Sequence, residues 1–172
     1  AEGMVPHLQA LRAPLGVFGT LGNHEFYGDA DENAQALRAG GVQVLRDAVA
    51  VVADRVVVVG RDDDMHADRP PLAALLKDVR RDLPVLVLDH RPTEIVGNAR
   101  TPMDIQLSGH AHNGQVFPAN FIVRALYRLH YGHETIDGKE IFVSSGYGFW
   151  GVPLRLGSRS EVLVIDVAGR AN

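Results

Sequence analysis

The sequence contains no cysteine, which excludes disulfide bonds, thiolate zinc sites and a cysteine nucleophile. A metal ion can therefore be held only by imidazole, carboxylate or amide ligands, a set that suits manganese, iron or zinc better than copper(I). The sequence also lacks a long apolar run. Its longest apolar stretch, AVAVVADRVVVVG from Ala48, is interrupted by Asp54 and Arg55, far short of the roughly 20 residues that span a bilayer.

An excess of positive charge is absent as well. The 172 residues carry a formal net charge of −4, and the basic residues are scattered, so the sequence shows no footprint of a nucleic-acid-binding surface. With 46% apolar residues, the chain has the composition of one globular domain with a substantial core. No internal repeat, low-complexity tract or linker divides it. We expect residues 1–172 to form a single domain without a nucleic-acid partner.

Apolar strands alternate with helical segments along the chain. VQVL, AVAVVAD and RVVVVG are rich in valine and predict three successive strands, and PVLVLDHRP and MDIQL predict two more. The other predicted elements are a helix capped by Asp29 or Asp31, helices over Pro70–Arg81 and Asn120–Leu129, a hairpin turning at Asp137-Gly138, and a last strand over Val162–Val167. This order predicts an α/β sandwich of mixed β-sheets flanked by helices.

Three polar clusters directly follow apolar stretches. They are GNHE from Gly22, LDHRP from Leu88 and SGHAHNGQ from Ser108. Ligands of open α/β sheets bind beyond the carboxyl ends of the strands, so three clusters delivered there can converge on one site. Taken singly, each has an ordinary alternative, because Asn-His beside glycine is common in turns and a lone histidine is more often structural.

The third cluster places two histidines one residue apart, between two glycines. A helix would point positions i and i+2 to nearly opposite faces, whereas an extended segment points them the same way. His110 and His112 can then face one point, and Gly109 and Gly114 allow the backbone to approach a bound group closely. The pattern indicates a metal-binding loop, with a purely structural loop as the alternative.

Taken together, the order and spacing of the three clusters resemble the calcineurin-like metallophosphoesterase family of dinuclear metal hydrolases. The family's GNH[DE] motif is matched by Gly22-Asn23-His24-Glu25, its single-histidine motif by His90, and its GHxH motif by Gly109-His110-Ala111-His112. Beyond the motifs, SGHAHNGQVFPANFIVRALY and VSSGYGFWGVPLRLGSRSE resemble a bacterial subgroup that is often attached to membranes.

The resemblance implies a reaction and a role for each matched residue. Two divalent ions (manganese, iron or zinc) bridged by hydroxide would hydrolyse a phosphate ester or pyrophosphate of a small molecule or lipid. Asn23, His90 and His110 correspond to ligands of one metal, and His112 to a ligand of the other. Asn23 and His24 would contact substrate, and His24 would stabilise the transition state or protonate the leaving oxygen without binding metal.

Two motifs of the family are missing. Asp-x-His and Gly-Asp, which supply the remaining ligands including the bridging aspartate, do not occur before Asn23. We therefore expect an N-terminally truncated domain that holds at most one metal ion, weakly, and has little turnover. An open sheet edge predicts either self-association or completion of the sheet by the missing N-terminal segment. We expect this fragment to be soluble and the full-length protein to lie at a membrane, with the periplasmic side as one candidate.

Two further residues are candidates for substrate binding. Arg91 adjoins a predicted ligand and is placed either to meet a phosphate oxygen or to form a surface ion pair. Asn113, like Gln115, either positions substrate or closes the loop. The sequence leaves these alternatives open.

Other stretches contain residue types found in metal or apolar-ligand sites. The acidic segment DDDMHAD, residues 62–68, offers carboxylates and a histidine, although a solvated loop is the favoured interpretation. Asp89 ends a predicted strand and points away from the site, which predicts hydrogen bonding behind it. Tyr147, Phe149 and Trp150 either floor a cleft for an apolar or lipid-like group or pack in the core, and core packing is the favoured interpretation.

Two functions from different classes follow. One is a metal-dependent phosphoesterase, and the other is a noncatalytic metal-binding or interaction domain that keeps the scaffold with an incomplete site. Retention of His24, which binds no metal in the family scheme, favours ancestry in an active enzyme.

Overall fold

The computed structural model describes residues 5–168. Within that range the helices are α1 (Val5–Gln9), α2 (Ala30–Ala39), α3 (Leu72–Leu75), α4 (Ile95–Ala99) and α5 (Ala119–Leu126). The strands are β1 (Phe18–Gly19), β2 (Gln43–Val44), β3 (Ala48–Val52), β4 (Val56–Gly60), β5 (Val85–Leu88), β6 (Ile105–Ser108), β7 (Gly132–Ile136) and β8 (Lys139–Val143). The single domain predicted for residues 1–172 stays a prediction, and its first four and last four residues lie outside the described range.

Six strands form one mixed sheet in the order β3-β4-β5-β6-β8-β7. The inner strands β4, β5, β6 and β8 are parallel, and β3 and β7 pair antiparallel at the two edges. Val57, Val59, Val85 and Val87 are buried in the main hydrophobic cluster, because β-branched side chains pack well on a pleated surface. The predicted α/β fold, with a mixed sheet flanked by helices, is confirmed.

The parallel strands β5 and β6 end at the same edge of this sheet. Their register pairs Leu88 with Leu107, so the two connections that follow begin side by side. The backbone N–H of Gly109 donates to the carbonyl oxygen of His90 at 3.0 Å and ties the connections together. His90 and His110 are therefore delivered next to each other beyond the carboxyl ends of their strands.

A smaller unit carries the GNHE segment. Strands β1 and β2 pair in parallel, and α2 packs beside them. The small core of this unit consists of Leu21, Ala34, Val42 and Val44. The carboxylate of Asp29 accepts hydrogen bonds from the backbone N–H groups of Asp31 and Glu32, so Asp29 is the residue that caps α2. Asn23 follows β1 and reaches the edge where β5 and β6 end.

Two predicted helices are shorter than expected. The segment predicted as a helix over Pro70–Arg81 is helical only over Leu72–Leu75, because Leu76 adopts φ −90° and ψ 1° and ends the helix. Leu76 is nevertheless buried, and Val79 packs on the same cluster. The apolar side chains of this segment are thus buried although the segment does not form a continuous helix. Helix α5 ends at Leu126, since the next residue is extended.

The prediction of a strand over Val162–Val167 was wrong. This segment has no strand assignment, and no other described residue forms a backbone hydrogen bond with it. Val162 and Val164 are 75% and 90% exposed. A strand is defined by its neighbour, so high β-propensity alone does not produce one. The hairpin prediction is confirmed: Asp137 and Gly138 both have positive φ and join β7 to β8.

Candidate metal centre

Three side chains from distant parts of the sequence meet at one point. Asn23 Oδ1 lies 3.0 Å from His90 Nε2 and 3.0 Å from His110 Nδ1. The two imidazole nitrogens are 3.2 Å apart. We call these three atoms the donor triangle. It brings together three of the four residues that the sequence predicts as metal ligands.

The size of the donor triangle fits three ligands of one metal ion. A divalent ion about 2.1 Å from each donor places neighbouring ligands roughly 3.0 Å apart in octahedral geometry and about 3.4 Å apart in tetrahedral geometry. The observed separations lie within that interval. Amide oxygen and imidazole nitrogen are also suitable ligands for manganese, iron and zinc. The residues present therefore fit a divalent metal ion.

Local hydrogen bonds orient the amide of Asn23. Its Nδ2 donates to the hydroxyl of Tyr27 at 3.0 Å, so Oδ1 is the atom turned toward the imidazoles. The carboxylate of Glu25 accepts a hydrogen bond from the backbone N–H of Gly22 at 2.8 Å and fixes the turn. Sequence analysis did not predict the role of Tyr27, although its position four residues after Asn23 was visible in the sequence.

Both imidazoles of the donor triangle favour the neutral form that a metal ligand requires. Burial lowers the pKa of His90 to about 4, with additional lowering by His110 and Arg91. Burial also lowers the pKa of His110, again with a contribution from Arg91. At neutral pH each ring has one nitrogen with a free lone pair.

The low pKa of His90 predicts a pH-dependent stability of the metal-free protein. Below pH 6.5 the unfolded chain takes up a proton that folded His90 does not bind, so the free energy of unfolding decreases until about pH 4. Between pH 6.5 and 5 we expect this group to contribute a loss of about 2 kcal/mol. Urea unfolding with a chelator, compared between wild type and His90→Gln, measures it. If the free energy of unfolding falls equally steeply with decreasing pH in both proteins, the low pKa assigned to His90 is wrong.

The close approach of Gly22 to His90 predicts a second effect. A Cβ at Gly22 would lie 2.7 to 2.8 Å from three ring atoms of His90, so Gly22→Ala must displace the ring. We expect a loss of about 1–3 kcal/mol in the free energy of unfolding and roughly tenfold weaker Zn²⁺ binding. Gly28→Ala is the matched control, because a Cβ there meets nothing within 4 Å. Similar Zn²⁺ affinities of the two variants would show that the close contact between Gly22 and the His90 ring does not control metal binding.

The loop that carries His110 and His112 has an unusual backbone. His110, His112, Asn113 and Gln115 have φ values of 66°, 48°, 50° and 51°, a region that non-glycine residues rarely adopt. The two histidines are therefore not in the extended conformation that the sequence pattern suggested. Such conformations occur mostly where the surrounding structure imposes them, and they cluster at functional sites.

His112 lines the same cavity as the donor triangle but is not part of it. Its Nδ1 accepts a hydrogen bond from the Arg155 guanidinium at 3.2 Å, which places the proton of the neutral ring on Nε2. Burial lowers the pKa of His112, and Arg155 adds to that shift. In this arrangement His112 offers the cavity a hydrogen-bond donor. Its predicted role as a metal ligand stays a prediction and requires Arg155 to move.

The donor triangle opens into a cavity of about 260 Å³. His24 lines the cavity, with its ring packed edge-on against Tyr27 at 5.2 Å between centroids. Among residues 5–168, no aspartate or glutamate lines this cavity. The described part of the chain thus supplies neutral ligands and no bridging carboxylate.

Comparison with known proteins identifies the family. The chain is 34% identical over 175 residues to an uncharacterized metallophosphoesterase of Aquifex aeolicus, an alignment that covers 96% of this chain and 66% of that protein. It is 29% identical to an uncharacterized metallophosphoesterase of Campylobacter jejuni, covering 98% and 46% of the two chains. The chain belongs to the calcineurin-like metallophosphoesterase family.

Other comparisons define the limits of this assignment. A bovine protein named as a transmembrane protein with a metallophosphoesterase domain is 29% identical over 95% of this chain and 42% of its own length. The chain therefore spans between 42% and 66% of the length of these three relatives. No helix in residues 5–168 is long and apolar enough to cross a membrane. No family model and no solved structure matches the chain.

The remaining candidates for substrate binding do not line the cavity at the donor triangle, although Arg91 is near enough to lower the pKa of His90 and His110. Arg91 donates to Asp63 at 3.0 Å and pairs with Asp64 at 3.1 Å, so it forms the ion pair that was its alternative interpretation. Asn113 lines a different surface depression, shared with Ser158 and Arg159. Neither residue lines the cavity at the donor triangle.

The expectation of a solvated acidic loop was wrong for two of its residues. Asp62 and Asp63 are 1% and 0% exposed, because Arg46 and Arg91 pair with them. Asp62 also belongs to a group, with Asp47 and His66, whose ligand atoms lie within 4.8 Å of one another and could hold a metal ion. The Arg46 guanidinium already engages both carboxylate oxygens of Asp62, so an ion-pair network also accounts for this group.

A buried polar network lies next to the donor triangle, around Asp89. Arg61 donates to Asp89 at 3.0 Å and to Glu94 at 2.6 Å. Arg69 donates to Asp89 at 2.7 Å. Burial raises the pKa of Asp89, and the two guanidinium groups oppose that shift. Asp89 is thus engaged in hydrogen bonds, as its position in the sequence predicted, whereas the burial of Arg61 was not predicted.

Proposed function

We propose that this protein is a metal-dependent phosphoesterase whose Asn23, His90 and His110 hold one divalent ion (manganese, iron or zinc) at the donor triangle. The observation that carries the proposal is the convergence of these three neutral donor atoms at 3.0 to 3.2 Å from one another. Membership of the metallophosphoesterase family supports it. When bound, a divalent ion supplies Lewis-acid charge to a phosphate and acidifies water.

Side chains of this protein orient the metal ligand, protonate the leaving group and contact the phosphate. Asn23, held by Tyr27, keeps its amide oxygen on the metal side of the cavity. His24 faces the phosphate and donates a proton from its imidazole to the oxygen of the leaving alcohol, while a water molecule attacks phosphorus and the bond from phosphorus to that oxygen breaks. His112 donates a hydrogen bond to a phosphate oxygen or, after Arg155 moves, binds a second metal ion.

A dinuclear centre is the finer form of this proposal. A dinuclear centre of the family's kind includes a bridging carboxylate, and no carboxylate lines the cavity in residues 5–168. The chain by itself then holds at most one ion, weakly, and turns over slowly. The lack of a cavity-lining carboxylate in residues 5–168 also supports the noncatalytic alternative, a metal-binding domain with an incomplete site. Turnover by the full-length protein distinguishes the two.

The role of His24 provides the direct test. In the full-length protein, His24→Ala is expected to lower the rate of hydrolysis of a chromogenic phosphate ester by about 100-fold to 10,000-fold. The Zn²⁺ or Mn²⁺ content should stay unchanged, because His24 lies outside the donor triangle. His133→Ala is the matched control, since this histidine is on β7 and pairs with Glu140. Unchanged hydrolysis in His24→Ala would refute the role.

Membrane association of the full-length protein is a further part of the proposal. Its support is that the bovine relative, and another from Danio rerio, are named as transmembrane proteins. Fractionation of cells that express the full-length protein tests this part. Recovery of the protein in the membrane fraction is expected.

A further inference from the structure

The cavity at the donor triangle has two unlike walls. The polar wall consists of Asn23, His24, His90, His110 and His112. The other wall includes Val123 and Leu126 of α5, Tyr127 directly after the helix, and Trp150. A group esterified to a phosphate at the donor triangle therefore lies beside a largely apolar surface.

The apolar wall continues onto the outside of the molecule. Leu126 and Trp150 line the cavity and are nevertheless 70% and 58% exposed. Ile122, four residues before Leu126 on the same side of the helix, and Phe149, next to Trp150, are also more than half exposed. Contiguous exposed apolar side chains beside a cavity are typical of a ligand-binding surface. We call Ile122, Leu126, Phe149 and Trp150 the apolar strip.

One buried side chain holds the two halves of the apolar strip together. Gln115 is 4% exposed, and its Nε2 donates to the carbonyl oxygens of Trp150 at 2.6 Å and Val152 at 3.1 Å. In return, the backbone N–H of Trp150 donates to Gln115 Oε1 at 2.6 Å. The aromatic loop is thus fixed to the segment that leads into α5, and the apolar strip is a built surface.

The charge of the apolar strip favours hydrocarbon over an ionic partner. Arg124 is the basic residue of α5, and the formal net charge of the chain is −4. Long-range attraction to an anionic surface is therefore weak. Apolar contact, which depends little on ionic strength, is the main source of affinity that this surface offers.

We infer that the substrate is a phosphate ester of a hydrophobic alcohol, whose phosphate binds at the donor triangle and whose hydrocarbon chain lies along the apolar strip. This inference rests on the proposed function. The cavity of about 260 Å³ accommodates the phosphate and the first carbons of the chain, and the rest of the chain extends over Leu126 and Trp150.

The test uses alkylphosphonates from methyl to octyl, which contain a carbon–phosphorus bond and are not hydrolysed as esters. Trp150 is the only tryptophan in the sequence, so its fluorescence reports on the apolar strip directly. In the Zn²⁺-loaded protein, below the micellar concentration of each probe, we expect the emission to shift to shorter wavelength. The affinity should rise by about two- to fourfold for each added methylene and change little with salt.

A double substitution separates the apolar strip from the donor triangle. Ile122→Ser/Phe149→Ser, at two exposed positions that do not line the cavity, is expected to remove the dependence on chain length and leave the affinity for methylphosphonate unchanged. Val49→Ser/Val51→Ser is the matched control, because these valines are also exposed but lie on the edge strand β3. Far-ultraviolet circular dichroism verifies that both variants fold.

The outcomes distinguish this inference from the function on which it rests. If Zn²⁺ and methylphosphonate bind but octylphosphonate binds no more tightly, the substrate class is wrong and the proposed function stands. If neither Zn²⁺ nor any phosphonate binds, both fail. If light scattering shows that the double substitution separates an oligomer without affecting phosphonate binding, the apolar strip is an interface between copies and the inference is overturned.

Discussion

His110→Ala is expected to lower the affinity for Zn²⁺ by more than about 100-fold, since even residues that only orient metal ligands typically contribute 10- to 100-fold. His110 Nδ1 is one of three donors, at 3.0 Å from Asn23 Oδ1 and 3.2 Å from His90 Nε2. Its removal leaves an incomplete coordination face. Competition with a chromogenic chelator measures the affinity.

Two controls make this loss specific. His90→Ala should produce a loss of the same size, because it removes another corner of the donor triangle. His133→Ala, on a remote strand, should bind Zn²⁺ like the wild type. Wild-type affinity in His110→Ala would show that the metal ion is held elsewhere.

Arg61→Ala is expected to lower the free energy of unfolding by about 3–5 kcal/mol, because it leaves a buried carboxylate without one of its two cations. Arg61 is 1% exposed and donates to Asp89, Glu94 and the carbonyl oxygen of Pro70. Arg69 remains as the other partner of Asp89. Urea unfolding at neutral pH measures the change.

An exposed arginine provides the comparison for Arg61. Arg80 pairs with Asp54 and Asp82 at the surface, and exposed ion pairs contribute little to stability. Arg80→Ala should therefore unfold at nearly the wild-type urea concentration. Equal effects of the two substitutions would mean that the buried polar network around Asp89 is not tightly coupled to the fold.

The strand ends were predictable from the sequence because they depend on local signals. The stretches PVLVLDHRP and MDIQL predict the strands β5 and β6, and the parallel pairing of these strands delivers His90 and His110 to one edge. Asp137-Gly138 fixes a hairpin through its own backbone preference. The convergence of Asn23 with these histidines does not follow from the same sheet edge, because the strand before GNHE, β1, pairs with β2 outside the six-stranded sheet.

The rest depends on contacts that no local pattern encodes. Asp62 and Asp63 were expected in solvent, but Arg46 and Arg91 neutralise them across the fold. The favoured interpretation of Tyr147, Phe149 and Trp150 was core packing, yet all three are more than half exposed. These cases share a cause: the side chain's environment is set by partners far away in the sequence.

The segment over Val162–Val167 illustrates the same limit for backbone structure. Its β-branched residues predict a strand, but no described residue pairs with it. Self-association, or completion of the sheet by the missing N-terminal segment, was expected for an open sheet edge elsewhere and stays a prediction. Light scattering of the chain by itself separates a monomer from an associated form.

The central claim is that Asn23, His90 and His110 bind one metal ion together. Pulsed electron paramagnetic resonance of the Mn²⁺-loaded protein counts the imidazole nitrogens coupled to the ion. Two coupled nitrogens in the wild type, and one in His110→Gln, are predicted. A single coupled nitrogen that is lost in His66→Gln and unaffected in His110→Gln would place the ion at Asp47, Asp62 and His66 and contradict the claim.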